Sequence, residues 1–156
     1  MSGLAIRGLH VRRGDRDVLR GVDLAVAPGE IVALMGVSGA GKSTVLRAVA
    51  ALQPISAGEV EVGGFALRPG PVPRESRLRE LRRQVGMVFQ AASLFEHLTA
   101  LANVTLAPVH AQRRARKDAE ARAMELLASL GVAHRAAAFP RDLSGGEAQR
   151  VAIARA

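Results

Sequence analysis

The chain has no cysteine, no tryptophan and no tyrosine, and four phenylalanines, Phe65, Phe89, Phe95 and Phe139, are its whole aromatic content. Without cysteine there is no disulfide framework, no thiolate metal site and no thiol redox chemistry, and the composition suits a reducing compartment. With so few aromatics a platform for stacking bases is not expected, so the formal net charge of +8 does not call for a nucleic-acid partner. The excess is nearly all arginine, since Lys42 and Lys117 are the only lysines among 22 basic residues, and a solvated basic surface accounts for it. The histidines, His10, His97, His110 and His134, are widely spaced and lack a ligating neighbour one helical turn on, which gives a metal centre little support. No apolar run approaches the about 18 residues of a membrane span, and the N-terminus lacks the basic-then-apolar pattern of a secretory signal. The expected location is the cytoplasm.

What is present is concentrated in Gly36-Val37-Ser38-Gly39-Ala40-Gly41-Lys42-Ser43, a glycine, four residues, then Gly-Lys-Ser, the spacing of a phosphate-binding loop. The apolar run Ile31 to Met35 reads as a buried strand before it, and Ser43 to Val49 opens a helix after it, the context such a loop requires. A loop wrapped on phosphate turns successive backbone N–H groups inward and brings the main chain close, which a Cβ obstructs. Gly36, Gly39 and Gly41 answer that need. The helix start adds unpaired N–H groups and a positive dipole end, Lys42 a mobile charge for the β and γ phosphates, and Ser43 a hydroxyl for Mg²⁺. The candidate nucleotide-binding residues are Gly36, Ser38, Gly39, Ala40, Gly41, Lys42, Ser43 and Thr44, for a nucleoside triphosphate with Mg²⁺; the resemblance given below makes that nucleotide ATP.

Around this loop, Leu4 to Val11 and Val22 to Val26 flank the turn-forming Gly14 to Asp17 and read as paired strands, an antiparallel piece. Pro28-Gly29 turns the chain toward the loop, whose helix extends to about Leu52, before Pro54. Gly58 to Gly64 is a short alternating strand, Pro69 to Pro73 a surface loop, and Arg74 to Arg83 a charged helix. Val85 to Phe89 reads as a second buried strand, with the polar Gln90 at its end, where parallel strands present groups to ligands. Farther on, Ala115, Ala119, Ala123, Leu126, Leu127 and Leu130 share a helix face that Gly131 terminates. Leu143-Ser144-Gly145-Gly146-Glu147 precedes the helical run Ala148 to Ala156, a second helix N-terminus suited to an anion.

The phosphate loop, Gln90 and Leu143-Ser144-Gly145-Gly146-Glu147 together resemble the ATP-binding cassette ATPases in identity, order and spacing. Val85 to Gln90, Leu94 to Thr99, Asn103 to Pro108 and Arg150 to Ala156 resemble the subunits that energise uptake of polar amino acids. The resemblance implies an α/β fold, a P-loop NTPase cassette with an N-terminal antiparallel β piece, a partial, mainly parallel core sheet and a helical subdomain. It divides residues 1–156 into a β piece and P-loop core to about 90, a helical subdomain over about 91–145, and the signature and its helix over 143–156. It implies that Lys42 and Gln90 are catalytic, that Gln90 shares Mg²⁺ with Ser43 and senses the attacking water, and that Ser144, Gly145 and Gly146 hold the γ-phosphate of ATP on an opposite protomer. A homodimer or a paired cassette subunit follows. Residues 91 to 99, Leu94 and Phe95 among them, would face a membrane permease, and a substrate-binding protein would take part indirectly. The location becomes peripheral, on the cytoplasmic face of the cell membrane. The implied function is ATP hydrolysis coupled to import of a small polar substrate, an amino acid; the alternative is a cassette ATPase of translation or DNA repair.

Departures from the family accompany the match. Arg13 before Gly14 stands where the family places an aromatic under adenine, and a guanidinium can stack there in its place. Glu147 replaces the commoner glutamine, and Glu96 stands where proline is usual. None of Asp15, Asp17, Asp23, Asp118 and Asp142 follows an apolar strand, so the Walker B Asp and the catalytic Glu are absent. The expectation is an N-terminal portion of such an ATPase, truncated before the Walker B strand, which binds ATP without hydrolysing it and is poorly soluble.

Overall fold

The computed structural model describes residues 3–156, and they divide into two units, the first ending at Gly86 and the second beginning at Met87. In the first unit β1 (Leu4–Arg13) and β2 (Arg16–Val26) form an antiparallel hairpin. Its turn lies at Gly14 and Asp15, within the tetrad read from the sequence. Two further strands, β3 (Ala57–Val62) and β4 (Phe65–Leu67), extend the sheet in the order β2-β1-β3-β4, with every pairing antiparallel. Alternation, reset by a register shift between Ile6 and Leu9, puts Ile6, Leu9, Val11, Leu19 and Val60 on its buried side. Onto them pack Val45 and Ala48 from α1 (Lys42–Val49) and Leu78 and Leu81 from α2 (Glu75–Gln84). The spacing of Leu78 and Leu81 gives α2 one apolar stripe, and its arginines face solvent.

The second unit is helical, with α3 (Ala100–His110), α4 (Arg116–Ser129) and α5 (Gly145–Arg155). Ala123 and Leu127 of α4, Val104 of α3 and Val151 and Ala152 of α5 close around Leu94 and Val132. α4 ends in a Schellman motif: Gly131 takes φ 70°, its N–H donates to Ala128 O at 2.9 Å and the Val132 N–H donates to Leu127 O at 2.8 Å. Of the apolar face read from the sequence, Ala119, Ala123 and Leu127 are buried and Ala115 is exposed.

The structure differs from expectation at the two buried strands. Ile31 to Met35 and Val85 to Phe89 join no ladder, so no parallel core sheet forms among the described residues. Ile31 and Met35 are 96% and 90% exposed. An apolar run marks a segment able to line a sheet interior, but a parallel strand exists only through a neighbour that supplies donors and acceptors, and none of the described residues does so. The loop helix is also shorter than read, ending at Val49 rather than near Leu52. There Ala51 adopts φ 51° and the Leu52 N–H turns back to Arg47 O at 2.8 Å, closing the helix one turn early.

Candidate functional site

The phosphate-loop residues form an exposed turn that enters α1 at Lys42. Gly36, Gly39 and Gly41 have φ of 151°, 82° and 91°. At Gly41 the demand is double, because a Cβ there would stand 2.6 Å from Leu19 Cδ2 and 3.3 Å from Val18 O; β2 presses directly on the exit of the loop. Gly41 is also the N-cap of α1, with no side-chain cap and no acidic residue in the first turn. The first N–H groups and the positive end of the helix therefore have no carboxylate or hydroxyl to answer them, the condition under which an anion is held best. Lys42 Nζ donates to Gly36 O and to Val37 O, both at 2.8 Å. Two of its three N–H groups close the loop and one is left for another acceptor. Ser43 is exposed and Thr44 is 6% exposed, so the first offers a hydroxyl oxygen to a hard cation while the second packs inward. Phosphate and magnesium fit these donors.

Arg13, at the end of β1, is exposed. Its Nη2 donates to Gln53 Oε1 at 3.3 Å, and Gln53 Nε2 donates to Thr44 O at 2.9 Å. The fold thus connects Arg13 to the helix that follows the loop, through a residue that sequence reasoning passed over. Its only local signal is Pro54, which fixes the backbone of the residue before it.

In the second unit Gln90 is exposed, and no hydrogen bond among the described residues engages its side chain. The segment after it is held from inside. Asn103, fully buried, accepts from the Phe95 N–H at 2.8 Å and donates to Phe95 O, Leu98 O and Thr99 O at 3.1–3.2 Å. Arg155 Nη1 donates to Ser93 O at 2.8 Å and Nη2 to Ala92 O at 3.2 Å, and its guanidinium lies over the Phe95 ring, 5.6 Å from the centroid. Gln149 Nε2 donates to Phe89 O at 3.2 Å. The expectation for Leu94 needs correction: at 8% exposure it belongs to the apolar core and offers no outward contact, because the turn at Ser93 (φ 47°) sends it inward. Phe95 remains 45% exposed.

Ser144 is the N-cap of α5 in a complete capping box. The Ser144 N–H donates to Glu147 Oε2 at 2.7 Å and the Glu147 N–H donates to Ser144 Oγ at 3.3 Å. Arg135 Nε lies 3.3 Å and His134 Nε2 3.8 Å from Glu147 Oε1. The Ser144 backbone hydrogen bond first, then the Ser144 side chain, hold the Glu147 carboxyl below its ordinary value of 4.5 against an opposing desolvation, with the Arg135 and His134 charges adding less. Gly145 and Gly146 are exposed and helical. A Cβ at Gly145 would meet nothing within 4 Å, and one at Gly146 only Arg150 Nη1 at 3.5 Å.

The pattern of the ABC transporter family matches residues 19–156. The chain is 43% identical over 158 residues to the L-cystine transport system ATP-binding protein TcyN of Escherichia coli K12, a match spanning 100% of this chain and 63% of that protein. To the glutamine transport ATP-binding protein GlnQ of the same organism it is 46% identical over 143 residues, spanning 92% of this chain and 58% of that one. Among solved structures, a dimeric ATP-binding cassette in a post-hydrolysis state with ADP and Pi shares 34% identity and a TM-score of 0.85, over 97% of this chain and 68% of the other. The chain spans less than two thirds of the length of these curated relatives.

Proposed function

The chain belongs to the ABC transporter family, and from that premise we propose that it binds Mg-ATP as the nucleotide-binding part of an importer's ATPase subunit, one that serves a small polar substrate of the amino-acid class. The observation that carries the reading is the loop itself: three glycines at positive φ, a helix start with neither cap nor acid, and the Lys42 ammonium already seated over the loop. Backbone N–H groups from Gly36 to Thr44 would hold the β and γ phosphates, Lys42 would add charge, and Ser43 would share the magnesium with Gln90. ATP would supply the phosphoryl group whose transfer to water drives transport.

The exposed glycines in the first turn of α5 support a role for Ser144, Gly145 and Gly146 against ATP on a second protomer. Neither glycine is required by its surroundings, because a Cβ at either would be tolerated within the chain. Two glycines that the fold does not need are most simply kept for close approach of something outside it. That reading makes the working unit a homodimer or a pair of cassette subunits. Residues 91–99, with Phe95 outermost and Leu94 inside, would meet a permease on the cytoplasmic face of the membrane, and a substrate-binding protein would deliver the cargo. The amino-acid class follows the relatives that serve L-cystine and glutamine, and the same names disfavour a translation or DNA-repair ATPase.

Lys42→Ala tests the reading. Removing one charge-assisted contact costs about 1.5–3 kcal/mol, so Mg-ATP affinity by titration calorimetry is expected to fall about ten- to a hundredfold. Unchanged affinity would overturn the assignment.

A further inference from the structure

We propose that Gln53 is a positioning residue for the base end of the nucleotide site, holding the Arg13 guanidinium in register with the phosphate-loop helix. The two hydrogen bonds of its carboxamide define the role. Nε2 donates to Thr44 O at 2.9 Å and Oε1 accepts from Arg13 Nη2 at 3.3 Å. The orientation of the amide is set by its partners, since a carbonyl only accepts and a guanidinium only donates. The bridge therefore needs a side chain that is donor at one atom and acceptor at the next. Glutamate supplies no donor, and an aliphatic residue of the same size supplies neither.

The backbone beneath the bridge is fixed on both sides. Pro54 disfavours the helical region at Gln53, and Ala51, 3% exposed, holds a left-handed φ of 51°, a conformation that a non-glycine residue adopts only where its surroundings impose it. That turn brings Gln53 back beside the first turn of α1. Arg13 itself is exposed and lies 40 residues from Gln53 in the chain. An unanchored arginine loses rotamer freedom when it stacks on a ring, whereas one already held presents its flat face without that loss.

This role rests on the reading that Arg13 lies under the base, and ligands that separate base from phosphate test it. In the whole protein, Gln53→Leu, Arg13→Ala and the double variant are titrated with Mg-ATP and with inorganic tripolyphosphate. Each single change is expected to weaken Mg-ATP about three- to tenfold, with the double variant no weaker than Arg13→Ala, because Gln53 acts only through Arg13. Tripolyphosphate affinity is expected to stay at the wild-type level in all three, which also reports that the loop is folded. Gln53→Leu with unchanged Mg-ATP affinity overturns the proposal, as do additive losses in the double variant or equal losses for ATP and tripolyphosphate. Failure of the nucleotide reading itself shows differently, as Lys42→Ala that leaves both ligands bound as before.

Discussion

Asn103 does more for the second unit than any other single polar side chain. Its carboxamide has two N–H groups facing three carbonyls, those of Phe95, Leu98 and Thr99, and its oxygen takes the Phe95 N–H. The whole bend after Leu94 is thereby closed around one residue that water does not reach. Replacing it with leucine keeps the volume and leaves the Phe95 N–H and Leu98 O unpartnered, each at about 1–3 kcal/mol, while Phe95 O keeps the Leu98 N–H and Thr99 O keeps the Asn103 backbone N–H. Asn103→Leu is therefore expected to lower stability by about 2–4 kcal/mol in urea unfolding. Asn103→Asp should be worse near neutral pH, since it removes both donors and turns a carboxylate toward the same carbonyls. Aspartate tolerated as well as asparagine would show that the bend is held by its apolar contacts. Neither Asn103 nor Arg155 stands out in the sequence. Asparagine in a helix interior is unremarkable, and Arg155 reaches back 62 residues to Ser93, a separation at which no local pattern reports.

Elements whose signals are local were legible. A helix start after Ser144 was read from the sequence, and in the structure Ser144 and Glu147 close it as a capping box. Gly131 ends α4 where a left-handed residue closes a Schellman turn. The hairpin of β1 and β2 bends within its Gly-Asp-Arg-Asp tetrad. The capping box makes the stability of α5 pH-dependent with a definite sign. The Glu147 carboxyl lies below its ordinary value of 4.5 when folded, so its contribution is present above that value and is lost as pH falls through the folded value. Glu147→Gln retains a side-chain acceptor for the Ser144 N–H but does not titrate. Thermal unfolding of the two proteins is expected to favour wild type near neutral pH, with the gap closing below pH 4.5. A gap that stays constant with pH would mean the carboxylate charge contributes nothing there.

For the molecule as a whole, apolar composition identified what could be buried without identifying what would cover it. The apolar clusters around Leu9 and Leu127 were legible as periodic faces, because a face of a helix or of an antiparallel sheet is written in a single stretch of chain. Ile31 to Met35 failed for the opposite reason, since strand identity there depends on a neighbour elsewhere. The site divides the same way. Gly36 to Ser43 was readable as a glycine turn that enters a helix, because such a loop is one contiguous segment, whereas the pressure of Leu19 on Gly41 was not. The Arg13, Gln53 and Thr44 chain joins the end of β1 to a segment 40 residues on and becomes visible only once the two are folded together.

If Gly145 serves the proposed pairing of protomers, the unfilled space beside it would separate what a folding measurement detects from what selection on transport detects. Gly145→Ala adds a methyl that touches nothing in the chain and trades the poorer helix former for the better, so melting is expected at or slightly above the wild-type temperature, by roughly 0–1 kcal/mol of added stability. Nucleotide-driven pairing of two protomers, followed by light scattering, is expected to weaken, and pairing at the wild-type level would remove the reason given for this glycine. A library sorted for yield or heat resistance would then enrich the variant that a growth assay dependent on uptake discards.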